Sequence, residues 1–73
     1  MQIIKCKTIR SEQNKNYVWV IIAVNNVSEL ITHKGKYTYF VQGSIAWDIN
    51  SNKIYGLNGN SEWIEQTNVT ISL

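Results

Sequence analysis

The sequence predicts a mainly β fold: a small antiparallel sheet, or an SH3-like or OB-like barrel, with a β-meander and at most one short helix near residues 27–34. Segments rich in β-branched and aromatic residues recur along the chain, and such residues are enriched in strands. Short segments of Asn, Gly and Ser, which favour turns, separate them. The chain has 73 residues, which is enough for one core. We therefore expect residues 1–73 to form a single small β-rich domain.

The first strands follow from the spacing of apolar residues. Ile3–Ile9 alternates apolar and cationic positions, which indicates a strand with one solvated face and suits a sheet edge. Ser11–Asn16 is wholly polar and is predicted as a loop. Tyr17–Val24 is apolar at odd and even positions alike, which is typical of a central strand covered on both faces.

Two structures are open for residues 25–35. Asn26 is a suitable N-cap, with Glu29 placed to reach back to the cap amide and Gly35 placed to end a short helix. The alternative makes His33–Lys36 the turn of a hairpin, with Gly35 at a position of positive φ. We favour the helical turn.

The remaining residues give a β-meander and a final strand. The predicted strands are Tyr37–Val41, Ile45–Ile49, Lys53–Leu57, Glu62–Ile64 and Thr67–Leu73, with turns at residues 42–44 and 50–52. Asn58-Gly59 predicts a type I′ hairpin turn, because both residues tolerate positive φ. Trp47, Tyr55 and Trp63 then lie on three successive strands, where they are expected to form an aromatic ladder in the core or at an interface.

Charge is distributed unevenly along the chain, whose net charge is +2. Six cations against two carboxylates give residues 1–36 a charge of +4, and one cation against three carboxylates gives residues 37–73 a charge of −2. Such a separation favours head-to-tail contact between copies, or attraction of nucleic acid to one face. No run approaches the ~20 apolar residues of a membrane-spanning helix, and the N-terminus lacks the features of a secretory signal.

Catalytic, metal and cofactor sites are not expected. His33 is the only histidine and Cys6 the only cysteine, whereas a zinc site needs three or four ligands. The chain contains no phosphate-binding glycine loop and no nucleophile elbow. The sequence therefore predicts a protein that is not an enzyme.

A nucleic-acid-binding strand is the first alternative function. Lys34 and Lys36 precede Tyr37 and Tyr39, and alternation would place the two tyrosines on one face, where they could stack on bases. The segment departs from the RNP1 pattern of RNA-binding sheets.

Residues 27–64 carry a family resemblance. The motifs are Val27-Ser28-Glu29-Leu30, Lys34–Phe40, Gly43–Asp48, Tyr55–Asn58 and Glu62-Trp63-Ile64. Their order resembles the β-meander segments of small virion-associated head or tail accessory proteins of tailed bacteriophages. The resemblance implies a structural or adsorption-related component of a phage or prophage, with no catalytic residues to carry over.

The leading functional hypothesis is a non-enzymatic structural or binding module, a phage accessory protein that acts through protein contacts. Its expected partners are a second copy of itself, in a homo-oligomer, and another phage or host protein, in the virion or the host cytoplasm, with no membrane. The alternatives are a nucleic-acid-binding β-barrel and a phage-encoded inhibitor of a host or defence protein. The candidate binding residues are Lys34, Lys36, Tyr37, Tyr39, Trp47, Tyr55 and Trp63.

Overall fold

The computed structural model describes residues 1–66, which form one seven-stranded sheet and a 3-10 turn at Val27–Glu29. The strands are β1 (Gln2–Glu12), β2 (Lys15–Val24), β3 (His33–Lys34), β4 (Thr38–Phe40), β5 (Ile45–Asp48), β6 (Lys53–Leu57) and β7 (Trp63–Gln66). The prediction of a small, mainly β fold is confirmed. The predicted final strand, Thr67–Leu73, lies outside the described residues.

Strand β2 is the centre of the sheet, as predicted. One of its edges pairs antiparallel with β1, and the other pairs in parallel with β4 and then with β5. From β5 the sheet continues antiparallel through β6 to β7, which is the predicted meander, and β3 pairs antiparallel with β4. Within the described residues the sheet is open rather than barrel-shaped.

The expectation of a purely antiparallel sheet is wrong at the two pairings of β2 with β4 and β5. Parallel strands need a crossover connection of about a dozen residues or more. Residues 25–37 supply it, since they carry the chain from the end of β2 back to its beginning.

The connection contains parts of both structures predicted for it. Asn26 caps the 3-10 turn and its side chain accepts the Ser28 amide hydrogen at 2.9 Å. The Glu29 carboxylate accepts the Asn25 amide hydrogen at 2.9 Å, one residue before the predicted position. The chain then enters the β3–β4 hairpin, in which Gly35 has a φ of +70°.

Two turns differ from their predictions. The predicted loop Ser11–Asn16 is instead a continuation of β1 and β2, joined by Gln13 and Asn14 with φ of 48° and 68°. A solvated hairpin end accepts polar residues, because neither face has to be buried. At Asn58-Gly59 the positive φ, 61°, falls on Ser61, and the turn is wider than type I′ because the Asn58 side chain accepts the Asn60 and Glu62 amide hydrogens.

The core lies on one face of the sheet, called here the core face. Its buried residues are Val18, Val20, Ile22, Val24, Phe40, Ala46 and Leu57. Partly buried side chains from β1, the 25–37 connection, β6 and β7 pack against them, and the Trp63 indole N–H donates to the Ile31 carbonyl at 3.0 Å. The opposite surface of the sheet is called the outer face.

Candidate ligand-binding face

Aromatic and cationic side chains gather on the outer face. Along β2, Tyr17 and Trp19 alternate with the core residues Val18 and Val20, so they point away from the core. Residues paired directly across strands share a face, which extends the set to neighbouring strands. The aromatic-basic face is defined by Lys5, Lys7, Arg10, Lys15, Tyr17, Trp19, His33, Tyr39 and Trp47.

Four of these side chains form a row across four strands. The rings of Tyr39 on β4 and Tyr17 on β2 are stacked, with centroids 5.7 Å apart and planes inclined by 26°. His33 on β3 continues the row at 6.1 Å from Tyr39. At the other end the Arg10 guanidinium of β1 lies 4.3 Å from the Tyr17 centroid, which is cation–π geometry. The row is called the ladder below.

Trp19 lies one step along β2 from the ladder and is fixed by its surroundings. Its indole N–H donates to the Gly43 carbonyl at 2.8 Å, and the Lys5 ammonium is 5.9 Å from its ring centroid. Gly43 has a φ of +92°, and a Cβ there would lie 3.9 Å from the indole. Other residues would be strained at this φ, so glycine suits the support of the ring.

Trp47 marks the far end of the face. It lies half-buried on β5, opposite Ala23 of β2, and its indole N–H donates to the Asn52 side-chain oxygen at 3.1 Å. Both outer-face indoles thus have their N–H groups bonded within the chain, while part of each ring surface is open to solvent.

A β-bulge places the β1 cations on this face. Lys7 pairs with Trp19 and Arg10 with Tyr17, so that three residue steps on β1 match two on β2. Ile9 is 53% exposed and lies in this irregularity. In a regular strand, residues three apart point to opposite faces, whereas the extra residue of a bulge brings them to the same face.

The electrostatics of the face are positive. It carries Lys5, Lys7, Arg10 and Lys15 against Glu12, whose carboxylate is 3.4 Å from Arg10. Three other carboxylates have partners away from this face. Glu29 accepts a hydrogen bond from the terminal amine at 2.7 Å, and buried Asp48 accepts hydrogen bonds from amides of the following turn. Glu65 lies 3.3 Å from the Lys53 ammonium. The hydrogen bond and charge of Glu65 raise the pKa of Lys53.

Only two of the residues predicted for binding from the sequence belong to this face, Tyr39 and Trp47. Tyr55 and Trp63 lie on the core face, packed against the core. The prediction that Trp47, Tyr55 and Trp63 form an aromatic row on one face is wrong. Trp47 pairs with Ile54 and therefore faces away from Tyr55. A shift of one residue in register exchanges the two faces of a strand.

The other three predicted residues lie in or beside the turn of the β3–β4 hairpin. Tyr37 is 56% exposed and precedes β4, so it does not share a strand face with Tyr39 as predicted. Lys34 pairs with Thr38, on the side opposite His33 and Tyr39. Lys36 contributes its carbonyl, which accepts the Tyr39 hydroxyl hydrogen at 3.1 Å.

The β1 and β2 residues of this face are not among the binding residues predicted from the sequence. The predicted coverage of β2 on both faces holds at Ile21 and Ala23, which are buried on the outer face, but not at Tyr17 and Trp19, which are partly exposed. The available signal was their spacing of two in an otherwise aliphatic strand, directly after a basic edge strand.

Comparison of the chain with protein-family models, curated proteins and solved structures gives no significant match. Among residues 1–66, no three His, Cys, Asp or Glu side chains are grouped so that they could hold a metal ion. Over the same residues, the helical structure includes nothing long and apolar enough to cross a membrane.

Proposed function

We propose that this chain is a non-enzymatic binding module whose aromatic-basic face holds a single strand of nucleic acid. The observation that carries the proposal is the ladder, in which the stacked rings of Tyr17 and Tyr39 end at the Arg10 guanidinium. It develops the nucleic-acid alternative of the sequence analysis and assigns it to a different set of residues.

Stacking favours a single strand over a duplex. Bases of a single strand can be splayed onto aromatic side chains, and each stacked base contributes ~1–3 kcal/mol with little dependence on sequence. Bases inside a duplex have both faces covered by neighbouring pairs. The rings of Trp19 and Trp47 are held in place by their indole hydrogen bonds, which reduces the entropy lost when a strand binds.

The cations supply attraction for the phosphates of the same strand. If Lys5, Lys7, Arg10 and Lys15 each contact one phosphate, the logarithm of the binding constant should fall with the logarithm of salt concentration with a slope of about −3. Salt dependence of this size distinguishes a phosphate-binding face from an apolar protein interface.

The outer face offers better support for nucleic acid than the residues first assigned to protein contacts. Tyr55 and Trp63, the expected centre of an assembly interface, pack against the core. The phage accessory role, the homo-oligomer and the inhibitor role stay predictions that rest on the sequence.

The test is a fluorescence anisotropy titration of a labelled, mixed-sequence single strand of about 12 nucleotides, within the roughly 4–16 nucleotides that one OB fold binds. Tyr17→Leu interrupts the ladder and should weaken binding about tenfold, because Tyr39 and Arg10 lose the ring that holds them in one row. The matched control is Tyr37→Leu, which removes an exposed tyrosine from the hairpin turn and should change the affinity less than twofold.

Circular dichroism first establishes that both variants keep the β fold. Equal effects of the two substitutions, or an affinity independent of salt, would contradict the proposed function.

A further inference from the structure

A cavity of about 420 Å³ adjoins the ladder and has a mixed polar lining. The ladder residues Arg10, Tyr17 and Tyr39 line it, and its further polar lining residues are Thr32, Gln42 and Ser61. The volume falls within the range of small-molecule sites, roughly 300–1,000 Å³. A stacking surface and a polar cavity therefore meet at the same residues.

The cavity lining includes three polar side chains that residues 1–66 leave without a hydrogen-bond partner. Neither the Gln42 carboxamide nor the Thr32 and Ser61 hydroxyls make side-chain hydrogen bonds to the residues that the structure describes. Each of these groups can both donate and accept. The Gln42 side chain passes close to the β6–β7 turn, where a Cβ on Gly59 would lie 3.3 Å from its Oε1 atom. Glycine at this position leaves room for the carboxamide.

We propose that the cavity receives one unstacked base of the bound strand and that Gln42 reads the hydrogen-bonding edge of that base. The inference rests on the proposed function, because the strand must first lie on the aromatic-basic face. The neighbouring bases then stack on the ladder, while the base in the cavity meets the carboxamide and the hydroxyls.

This arrangement adds base preference to a surface that stacking alone leaves unselective. A carboxamide pairs with a base edge through a donor and an acceptor at once, which rejects edges with the wrong pattern. The loss of such a pair corresponds to about a tenfold change in affinity. Paired bases cannot enter, since they are held in the stack of the duplex and their Watson–Crick edges are occupied.

The test compares the affinities of oligo(dA), oligo(dC), oligo(dT) and oligo(dT) with one central dG, each of about 12 nucleotides. Wild-type protein should bind one of these strands about tenfold more tightly than the weakest. Gln42→Leu keeps the approximate side-chain size and removes the amide. It should reduce the spread, meaning the ratio between the tightest and the weakest affinity, to less than threefold. The control Asn60→Ala changes an exposed amide in the neighbouring β6–β7 turn and should retain the spread.

Thr32→Val is a second variant, which removes a hydroxyl from the cavity wall and keeps the side-chain shape. It should also reduce the spread, whether or not Gln42→Leu folds. Equal affinities for all four strands, or a spread unchanged in both cavity variants, would overturn the base-reading cavity while the aromatic-basic face still binds. Absence of binding to every strand would overturn the proposed function itself.

Discussion

The Ser44 side chain bonds to β2 at the point between its parallel pairings with β4 and with β5. Between the β4 and β5 pairings, the chain at Val41–Ser44 turns away from β2, which removes a backbone partner from the Val20 amide. The Ser44 hydroxyl replaces that partner and accepts the Val20 amide hydrogen at 3.2 Å. Both residues are 0% exposed, so water cannot substitute.

Ser44→Ala should lower the free energy of unfolding by about 1–3 kcal/mol, because a buried amide loses its acceptor. Chemical denaturation measures the effect, with Ser51→Ala as the control, since Ser51 is exposed in the β5–β6 turn. Equal stability of the two variants would show that the Val20 amide does not depend on the hydroxyl.

Glu29 couples stability to pH at the start of the 25–37 connection. Its carboxylate accepts hydrogen bonds from the terminal amine and from the Asn25 amide, and these lower its pKa below the usual 4.5. A carboxylate whose pKa is lowered in the folded state stabilises the fold above its unfolded pKa, and this contribution is lost as pH falls through the folded pKa.

Glu29→Gln should therefore flatten the decrease in stability on acidification below about pH 5. The measurement is the free energy of unfolding as a function of pH, and Glu62→Gln, on the exposed β6–β7 turn, is the matched control. If the free energy of unfolding decreased with falling pH by the same amount in wild type and Glu29→Gln, the role assigned to this carboxylate would be contradicted.

At the scale of elements, the irregularity of β1 at Ile9 decides which face the cations occupy. Lys5, Lys7 and Arg10 would not share a face in a strand of constant alternation. Deletion of Ile9 should remove the extra residue, so that Lys7 and Arg10 become two residues apart and both stay on the outer face at unchanged net charge.

We expect this deletion to change the oligonucleotide affinity less than twofold, whereas Arg10→Ala should weaken binding about three- to tenfold because one phosphate or stacking contact is lost. Ile9→Val preserves the bulge and is the control in the same titration. An affinity lowered by the deletion as far as by Arg10→Ala would contradict the placement of Arg10 opposite Tyr17 on the outer face.

The strands were predictable where local patterning determines them. The bounds of β6 and the β5–β6–β7 meander follow from alternation and turn residues, and β2 is recognisable from its continuous apolar run. The parallel pairing of β2 depends on where residues 25–37 return the chain, which is not a local property. Nothing in the sequence around Ile9 indicates a bulge, so the face on which Arg10 lies relative to Lys5 and Lys7 could not be predicted.

At the scale of the whole molecule, the two faces of the sheet divide the aromatic residues by role. Trp63 and Tyr55 complete the core, and Trp19, Trp47 and the ladder tyrosines remain partly open on the positively charged outer face. The sequence indicated a basic N-terminal half, and the fold concentrates four of its cations beside these rings. The chain thus separates a stabilising surface from a surface suited to ligand binding.

The three tryptophans allow binding at the aromatic-basic face to be tested within one molecule. The measurement is a two-dimensional proton–nitrogen NMR titration with a mixed-sequence single strand, following the three indole N–H signals. The indoles of Trp19 and Trp47 lie on the aromatic-basic face, and the Trp63 indole is bonded to the Ile31 carbonyl on the core face. We expect the Trp19 and Trp47 signals to shift while the Trp63 signal stays in place. Shifts confined to Trp63, or no shift at any indole, would contradict binding at the aromatic-basic face.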